Sequence, residues 1–186
     1  MISAISARPA IRAAVLACYV LLAEWTRVLA GTVPHAALAS LVLGGGALAL
    51  AALGWPASRL GLGTSRFALR VLGGLALGAV LLLPTAVRAA GAPVLPADLA
   101  FAAVAVSIGE ELAFRGALYA ALEDLGGVPL AVIGSASVWT AAHALSHPPQ
   151  FLAAVAAAGL LLGLWRWACK DLVGPIIGHV IADLAL

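Results

Sequence analysis

Residues 107–119 read SIGEELAFRGALY, which places two glutamates and an arginine inside an otherwise apolar run. The flanking segments, LAFAAVAV (99–106) and ALYAAL (117–122), are typical of a helix that faces hydrocarbon. One charge at the centre of a bilayer costs about 2.5–3.5 kcal/mol on insertion scales, so three independent charges would cost about 8–10 kcal/mol. We therefore expect Glu110, Glu111 and Arg115 to face a protein interior or a wet cavity and to partner one another.

The composition of the whole chain indicates that its solvent is lipid. Of its 186 residues, 64% are hydrophobic and 10% are charged, whereas soluble domains carry about 25% charged residues. The apolar runs are longer than strands, so the sequence predicts an all-α, polytopic transmembrane helix bundle rather than a barrel. The net charge of +2 does not indicate nucleic-acid binding. Cys18 and Cys169 indicate neither a disulfide framework nor a metal site.

About seven spans of roughly 20 apolar residues are predicted, separated by joints rich in Gly and Pro. The first is expected to be a retained helix, because only about five apolar residues separate Arg12 from Cys18, too few for a signal peptide. The last is short and is expected not to cross completely. The predicted spans are residues 11–30, 36–54, 67–90, 97–122, 128–147, 151–168 and 172–186.

The basic residues favour an N-terminus in the cytoplasm, because that orientation puts most of them on the cytoplasmic side. Arg27 and Arg88 then fall outside. The residues on the cytoplasmic side are Arg8, Arg12, Arg59, Arg66, Arg70, Arg166 and Lys170. Small-residue patterns could form a dimer face, but close helix packing within one chain is the favoured interpretation. These patterns are Gly44-Gly45-Gly46, Gly74 with Gly78, and Gly159 with Gly163.

The spacing of the polar residues within the spans predicts specific pairs. Glu111 and Arg115 are four residues apart, on one helix face, and suit an ion pair. Glu110 lies about 100° around the helix from Glu111, and it is therefore free to point elsewhere. His179 and Asp183 have the same i,i+4 spacing, so the carboxylate can fix the tautomer of the imidazole.

Other polar residues of the spans have simpler interpretations. Trp139 and His143 are also four residues apart, so the indole could separate the imidazole from lipid. His147 could join His143 on one helix face, but it is favoured as an interfacial histidine. Glu24 and Arg27 are favoured as an interfacial or packing pair.

Glutamates and histidines from three helices are the ingredients of water activation. A desolvated carboxylate can serve as a general base. Two imidazoles can polarise a carbonyl and hold an oxyanion, or they can bind a metal that does so.

Three motifs resemble those of one family. EELAFR (110–115) fits EExxxR, WTAAH (139–143) resembles FxxxH, and HVIAD (179–183) resembles a histidine followed four residues later by Asn or Asp. Together they resemble the CPBP family, the CAAX-protease and bacteriocin-processing (Abi) intramembrane endopeptidases. The resemblance covers roughly residues 97–186. It implies that these residues form the catalytic transmembrane core and that residues 1–96 form N-terminal transmembrane helices. Trp139 replaces the usual Phe, which keeps an aromatic wall but narrows the pocket.

The resemblance implies a role for each matching residue. Glu110 would activate the attacking water, with Glu111 assisting or structuring the site. His143 and His179 would stabilise the oxyanion or, together with Glu110, hold zinc or another divalent metal. The supporting residues would be Arg115, Trp139 and Asp183.

The resemblance also implies that the active site lies between the fourth, fifth and seventh predicted spans. The expected function is an intramembrane endopeptidase of the bacterial inner membrane, which acts on a membrane-associated protein or peptide. Two alternatives are a transporter or proton-conducting protein that uses the buried Glu and His residues, and a catalytically inactive immunity-type membrane protein.

Overall fold

The computed structural model describes residues 9–86 and 95–185, and all regular secondary structure within these ranges is helical. The predicted all-α fold is therefore confirmed. The N-terminal half contains α1 (Pro9–Gly31), α2 (Ala37–Ala49), a 3-10 turn (Leu50–Ala52), α3 (Ala57–Leu60) and α4 (Phe67–Ala86). The C-terminal half contains α5 (Ala97–Glu110), a π-helix (Glu111–Leu118), α6 (Tyr119–Ala142), a 3-10 turn (His143–Leu145), α7 (Pro149–Cys169) and α8 (Val173–Leu184).

Within the described residues, three helical stretches are long and apolar enough to cross a membrane. They are Pro9–Gly31, Ala97–Leu145 and Pro149–Cys169. Ala37–Ala52, Phe67–Leu83 and Val173–Leu184 are shorter apolar helices. The number of spans stays a prediction. Residues 87–90 of the third predicted span, and Arg8 and Arg88 of the orientation argument, lie outside the described residues.

The long stretch Ala97–Leu145 is a helical hairpin. Its backbone leaves helical geometry at Gly126 and Gly127, and Gly127 has a φ of 72°, a left-handed value that glycine adopts without steric cost. Glu110 and Trp139 are 29 residues apart, which would separate them by about 43 Å in one straight helix. Their side chains are instead in direct contact. The turn therefore brings the first two motifs together.

Small residues hold α2 against α5 immediately before the glutamates. A Cβ atom added at Gly109 would overlap the backbone of Gly45, and one added at Gly45 would overlap the backbone of Ala105. The other glycine patterns also pack within the chain, Gly74 and Gly78 against Ile177 and Ile181 of α8, and Gly159 against Trp139 of α6. The interpretation as packing within one chain is confirmed.

Two local features place the third motif. Asp171 accepts the backbone N–H groups of Val173 and Gly174, both at 2.9 Å, so its carboxylate satisfies the free donors where α8 begins. Arg70 lies 3.4 Å from the same carboxylate and links α4 to this end of α8. α8 then packs along α4.

The hydrophobic core surrounds the π-helix. Phe114 and Leu118 are fully buried among Val20 of α1 and Leu48 of α2. The charged motif is therefore in the interior of the bundle, as expected from its cost in lipid.

Candidate active site

The EELAFR motif lies at a change of helix type. α5 ends at Glu110, and Glu111–Leu118 forms a π-helix, in which hydrogen bonds span five residues rather than four. All of its residues except Leu112 are buried. Short π-helical segments are often found at functional sites, and here the change of helix type falls between the two glutamates.

Glu111 is the centre of one polar cluster. Its Oε1 accepts hydrogen bonds from Arg115 Nη1 and from His179 Nδ1, each at 2.9 Å. Glu111 and Arg115 have no exposed surface, and the Arg115 guanidinium also lies 4.1 Å from the ring centroid of Trp139. The predicted ion pair is confirmed. The bond from His179 reaches Glu111, whereas the resemblance grouped this histidine with Glu110.

Glu110 is the centre of a second cluster. Its Oε2 accepts a 2.6 Å hydrogen bond from the indole Nε1 of Trp139 and lies 4.0 Å from His143 Nε2. Its Oε1 lies 3.8 Å from Nη2 of Arg27. Glu110 is only 2% exposed, so these three groups account for much of its polar environment.

The orientation of His143 is set by the backbone. Its Nδ1 lies 2.9 Å from the carbonyl oxygen of Trp139. Because a carbonyl only accepts hydrogen bonds, Nδ1 must carry the proton. The other nitrogen, Nε2, is then directed toward Glu110. The ring also packs edge-on against Trp139, with centroids 4.7 Å apart.

His179 lies between two carboxylates. Its Nε2 is 3.5 Å from Asp183 Oδ2, the i,i+4 partner predicted from the sequence. Asp183 also accepts a 2.7 Å hydrogen bond from the Ser107 hydroxyl. Both ring nitrogens of His179 therefore face acidic groups, and the ring has little rotational freedom.

The structure thus brings together every predicted site residue. The glutamates and Arg115 come from the junction of α5 and the π-helix, Trp139 and His143 from the end of α6, and His179 and Asp183 from α8. Three further residues join them: Ser107, Glu24 and Arg27. Glu24 and Arg27 could have been predicted as site residues, because each is a charged residue inside an apolar span and such residues are typically functional.

A cavity of about 330 Å³ opens beside the two histidines. Its polar wall contains Trp139, His143, His179 and Asp183, and the remainder is mostly apolar, with Ala154, Ala157 and Leu161 of α7 and Val80 and Leu81 of α4. Apolar cavities with a few convergent polar groups are typical binding sites.

His147 lines the same cavity, beyond the end of the α6 helix. Its ring stacks on Phe151 with centroids 4.7 Å apart and lies 5.3 Å from the ring of His143. Burial, and then the neighbouring His143, lower the pKa of His147. The neutral form that results is suited to an aromatic stack at the edge of the cavity.

The zinc or other divalent metal that the resemblance allows stays a prediction. Among the described residues, no three His, Cys, Asp or Glu side chains are grouped so as to hold one. Trp139 already donates to Glu110, and both nitrogens of His179 face carboxylates. The chemistry considered below uses the side chains alone.

The family of the chain follows from a comparison with family models. The model of the type II CAAX prenyl endopeptidase Rce1-like family matches residues 92–185, a range that contains all three motifs. The chain belongs to the Rce1-like family. No curated protein and no solved structure matches it. Rce1-like membership identifies a protease family, and together with the apolar helices it makes this chain an integral membrane protein.

The indole of Trp139 gives a first prediction for this Rce1-like chain. Trp139→Phe keeps an aromatic wall but removes the 2.6 Å hydrogen bond to Glu110. We expect turnover of an internally quenched, farnesylated CAAX peptide, a probe chosen from the prenyl-endopeptidase description of the family, to fall by about 10²-fold, because Glu110 loses one of the contacts that hold it. Steady-state kinetics of purified protein in nanodiscs would measure this. Trp165→Phe, at an indole that bonds Asp171 at 3.3 Å, is the matched control, and equal losses in the two variants would contradict the assignment.

Proposed function

We propose that the chain is an intramembrane endopeptidase that hydrolyses a peptide bond with water activated by Glu110. The observation that carries the proposal is the pairing of Glu110 with His143 at 4.0 Å, since His143 belongs to the polar wall of an apolar cavity and Glu110 lies directly behind it. A buried carboxylate beside an imidazole can bind and deprotonate one water molecule. Membership of a protease family supports hydrolysis over ion transport.

In the proposed mechanism Glu110 is the general base. It takes a proton from water while the water oxygen bonds to the scissile carbonyl carbon. The resulting tetrahedral intermediate carries the negative charge on the former carbonyl oxygen. When the C–N bond breaks, the proton held by Glu110 passes to the leaving amine. Water and one peptide bond are consumed, and a carboxyl group and an amine are formed.

The histidines stabilise the oxyanion. His143 donates its Nδ1–H to the Trp139 carbonyl and holds Nε2 beside Glu110 at the wall of the cavity, where a proton on Nε2 can be donated to the oxyanion. His179 is held by Glu111 and Asp183 on the same wall and contributes positive charge when both its nitrogens are protonated. Preorganised donors of this kind lower the cost of charge that develops in the transition state. Arg115 neutralises Glu111, which keeps the second carboxylate from opposing that charge.

The lining of the cavity favours a substrate segment with apolar side chains. Its alanine-rich wall on α7 leaves room for apolar side chains next to the histidines. We propose as substrate a membrane segment or C-terminal tail of a membrane-associated protein or peptide, such as a bacteriocin leader, a membrane-anchored regulator or a sorting tail. The proposed location is the bacterial inner membrane with the N-terminus in the cytoplasm, as the basic residues favour.

The decisive experiment compares membrane-protein termini by mass spectrometry in cells with and without the chain. We expect new termini in apolar segments or tails only when the chain is present. Purified protein in proteoliposomes is expected to cleave the quenched farnesylated peptide and to conduct no ions. Ion flux without cleavage, together with an unchanged set of termini, would contradict the proposed function and favour a transporter.

A further inference from the structure

Arg27 of α1 reaches the candidate base from outside the region that the family model matches. Its Nη2 lies 3.8 Å from Glu110 Oε1, whereas the matched region begins at residue 92. The Arg27 side chain is 12% exposed, so little water screens it from the carboxylate. A guanidinium at this distance favours one orientation of Glu110.

Glu24 holds Arg27 in this position. Both carboxylate oxygens of Glu24 accept hydrogen bonds from the Arg27 guanidinium, one of them from Nε at 3.0 Å. Glu24 has no exposed surface, and its side chain lies on the buried stripe of α1 with Ala13 and Val20. Two-point contacts between a guanidinium and a carboxylate restrict geometry more than a single bond does. Arg27 is therefore fixed between two carboxylates.

α2 has a gap that accommodates the Arg27 side chain. A Cβ atom added at Gly44 would overlap the Cβ, Cγ and Cδ atoms of Arg27. At Gly46, two residues further along the same helix, an added Cβ would meet nothing within 4 Å. Position 44 must therefore be a glycine for the Arg27 side chain to take the course that it has in the structure.

We propose that Arg27 is a positioning residue for Glu110, fixed by Glu24 and given room by Gly44, so that α1 and α2 complete the active site. This inference rests on the proposed function. Arg27 fixes the orientation of Oε1, while the bond from Trp139 fixes Oε2. Glu24 retains the guanidinium, so Arg27 stays 3.8 Å from Glu110 Oε1, beyond hydrogen-bond distance, and leaves the base free to bind water.

The alternative is that Arg27 only neutralises the buried charge of Glu24. A variant that loses Arg27 alone leaves Glu24 unpaired, which would lower stability under either interpretation. The double variant Glu24→Gln/Arg27→Gln removes both charges and separates the two roles. We expect this double variant to unfold at close to the wild-type temperature. Its kcat is expected to be about 10²-fold lower than that of the wild type, with little change in KM.

The conservative variant gives a further readout. Arg27→Lys keeps the positive charge and is expected to recover part of the kcat that Arg27→Gln loses. The assay is turnover of the quenched farnesylated CAAX peptide by purified protein in nanodiscs, with thermal unfolding measured on the same samples. A double variant that turns over at the wild-type rate would show that Arg27 serves only Glu24, and it would overturn the inference.

Gly44 and Gly46 form a matched pair that leaves every charged residue in place. Gly44→Ala is expected to displace the Arg27 side chain and to lower kcat by about tenfold or more. Gly46→Ala is expected to keep wild-type kcat and to fold at least as well, because alanine favours a helix over glycine. Equal kcat values for the two variants would also overturn the inference.

The inference and the proposed function fail in different ways. If Glu110→Gln retains turnover, the proposed function is wrong whatever the Arg27 variants do. If Glu110→Gln is inactive while Gly44→Ala and the double variant retain the wild-type kcat, only the role of Arg27 is wrong.

Discussion

Glu110→Gln is expected to abolish peptide cleavage while leaving the amount of protein in the membrane unchanged. The carboxamide has nearly the shape of the carboxylate and can still accept the hydrogen bond from Trp139, so the fold is retained. It cannot accept a proton from water, however, and a general base contributes about 10²–10⁴-fold to a rate. The measurement is turnover of the quenched farnesylated peptide, together with the chain-dependent termini in cells.

Two comparisons make this test specific. Glu123→Gln removes an acidic group that lies 3.9 Å from Lys170 with its side chain 29% exposed, and it is expected to retain turnover. His143→Ala is expected to abolish cleavage as Glu110→Gln does, since it removes the imidazole opposite Glu110. Unchanged turnover by purified Glu110→Gln protein would contradict the mechanism.

Arg115→Met is expected to destabilise the protein by about 3–5 kcal/mol, the cost of removing one partner from a buried ion pair. Methionine approximates the length of the arginine stem, so the loss comes mainly from Glu111, which keeps its charge without its nearest cation. His179 remains as a hydrogen-bond partner of Glu111 but is shared with Asp183. Chemical or thermal unfolding in detergent would measure the change.

The stability of Arg115→Met can be compared with that of a double variant and of a surface variant. Glu111→Gln/Arg115→Met removes both charges and should be more stable than Arg115→Met alone. Arg59→Met removes a more exposed ion pair with Asp124 and should cost no more than about 1 kcal/mol. If Arg115→Met were as stable as Arg59→Met, the Glu111–Arg115 pair would not have the structural importance assigned to it.

The features that could be predicted from the sequence are those set by local spacing. Glu111 with Arg115, and His179 with Asp183, are each four residues apart on one helix, and a helix of either type keeps such pairs close. The convergence of the three motifs also follows from the cost of isolated charges in lipid. Composition and the length of the apolar runs were sufficient for the all-helical fold.

Features that depend on contacts across long sequence separations could not be predicted in this way. Arg27 and Glu110 are brought together by the packing of α1, and Ser107 meets Asp183 because α5 and α8 are neighbours. The π-helix could not be predicted from the periodicity of the sequence, because seven of its eight residues are buried. For the same reason, nothing in the motif spacing indicated that His179 would bond Glu111 while His143 faced Glu110.

The hairpin with its turn at Gly126–Gly127 has a consequence for biosynthesis. Glu24 and Arg27 precede the hairpin in the chain and already neutralise each other within one turn of α1. The hairpin that follows carries Arg115 for Glu111 and Trp139 for Glu110, so both glutamates can acquire a partner as its two arms insert together. α8 follows the hairpin in the chain and adds His179 to a cluster that is already paired. The order of the helices along the chain thus lets the costly charges be paired in stages, and α8 completes the cluster of side chains.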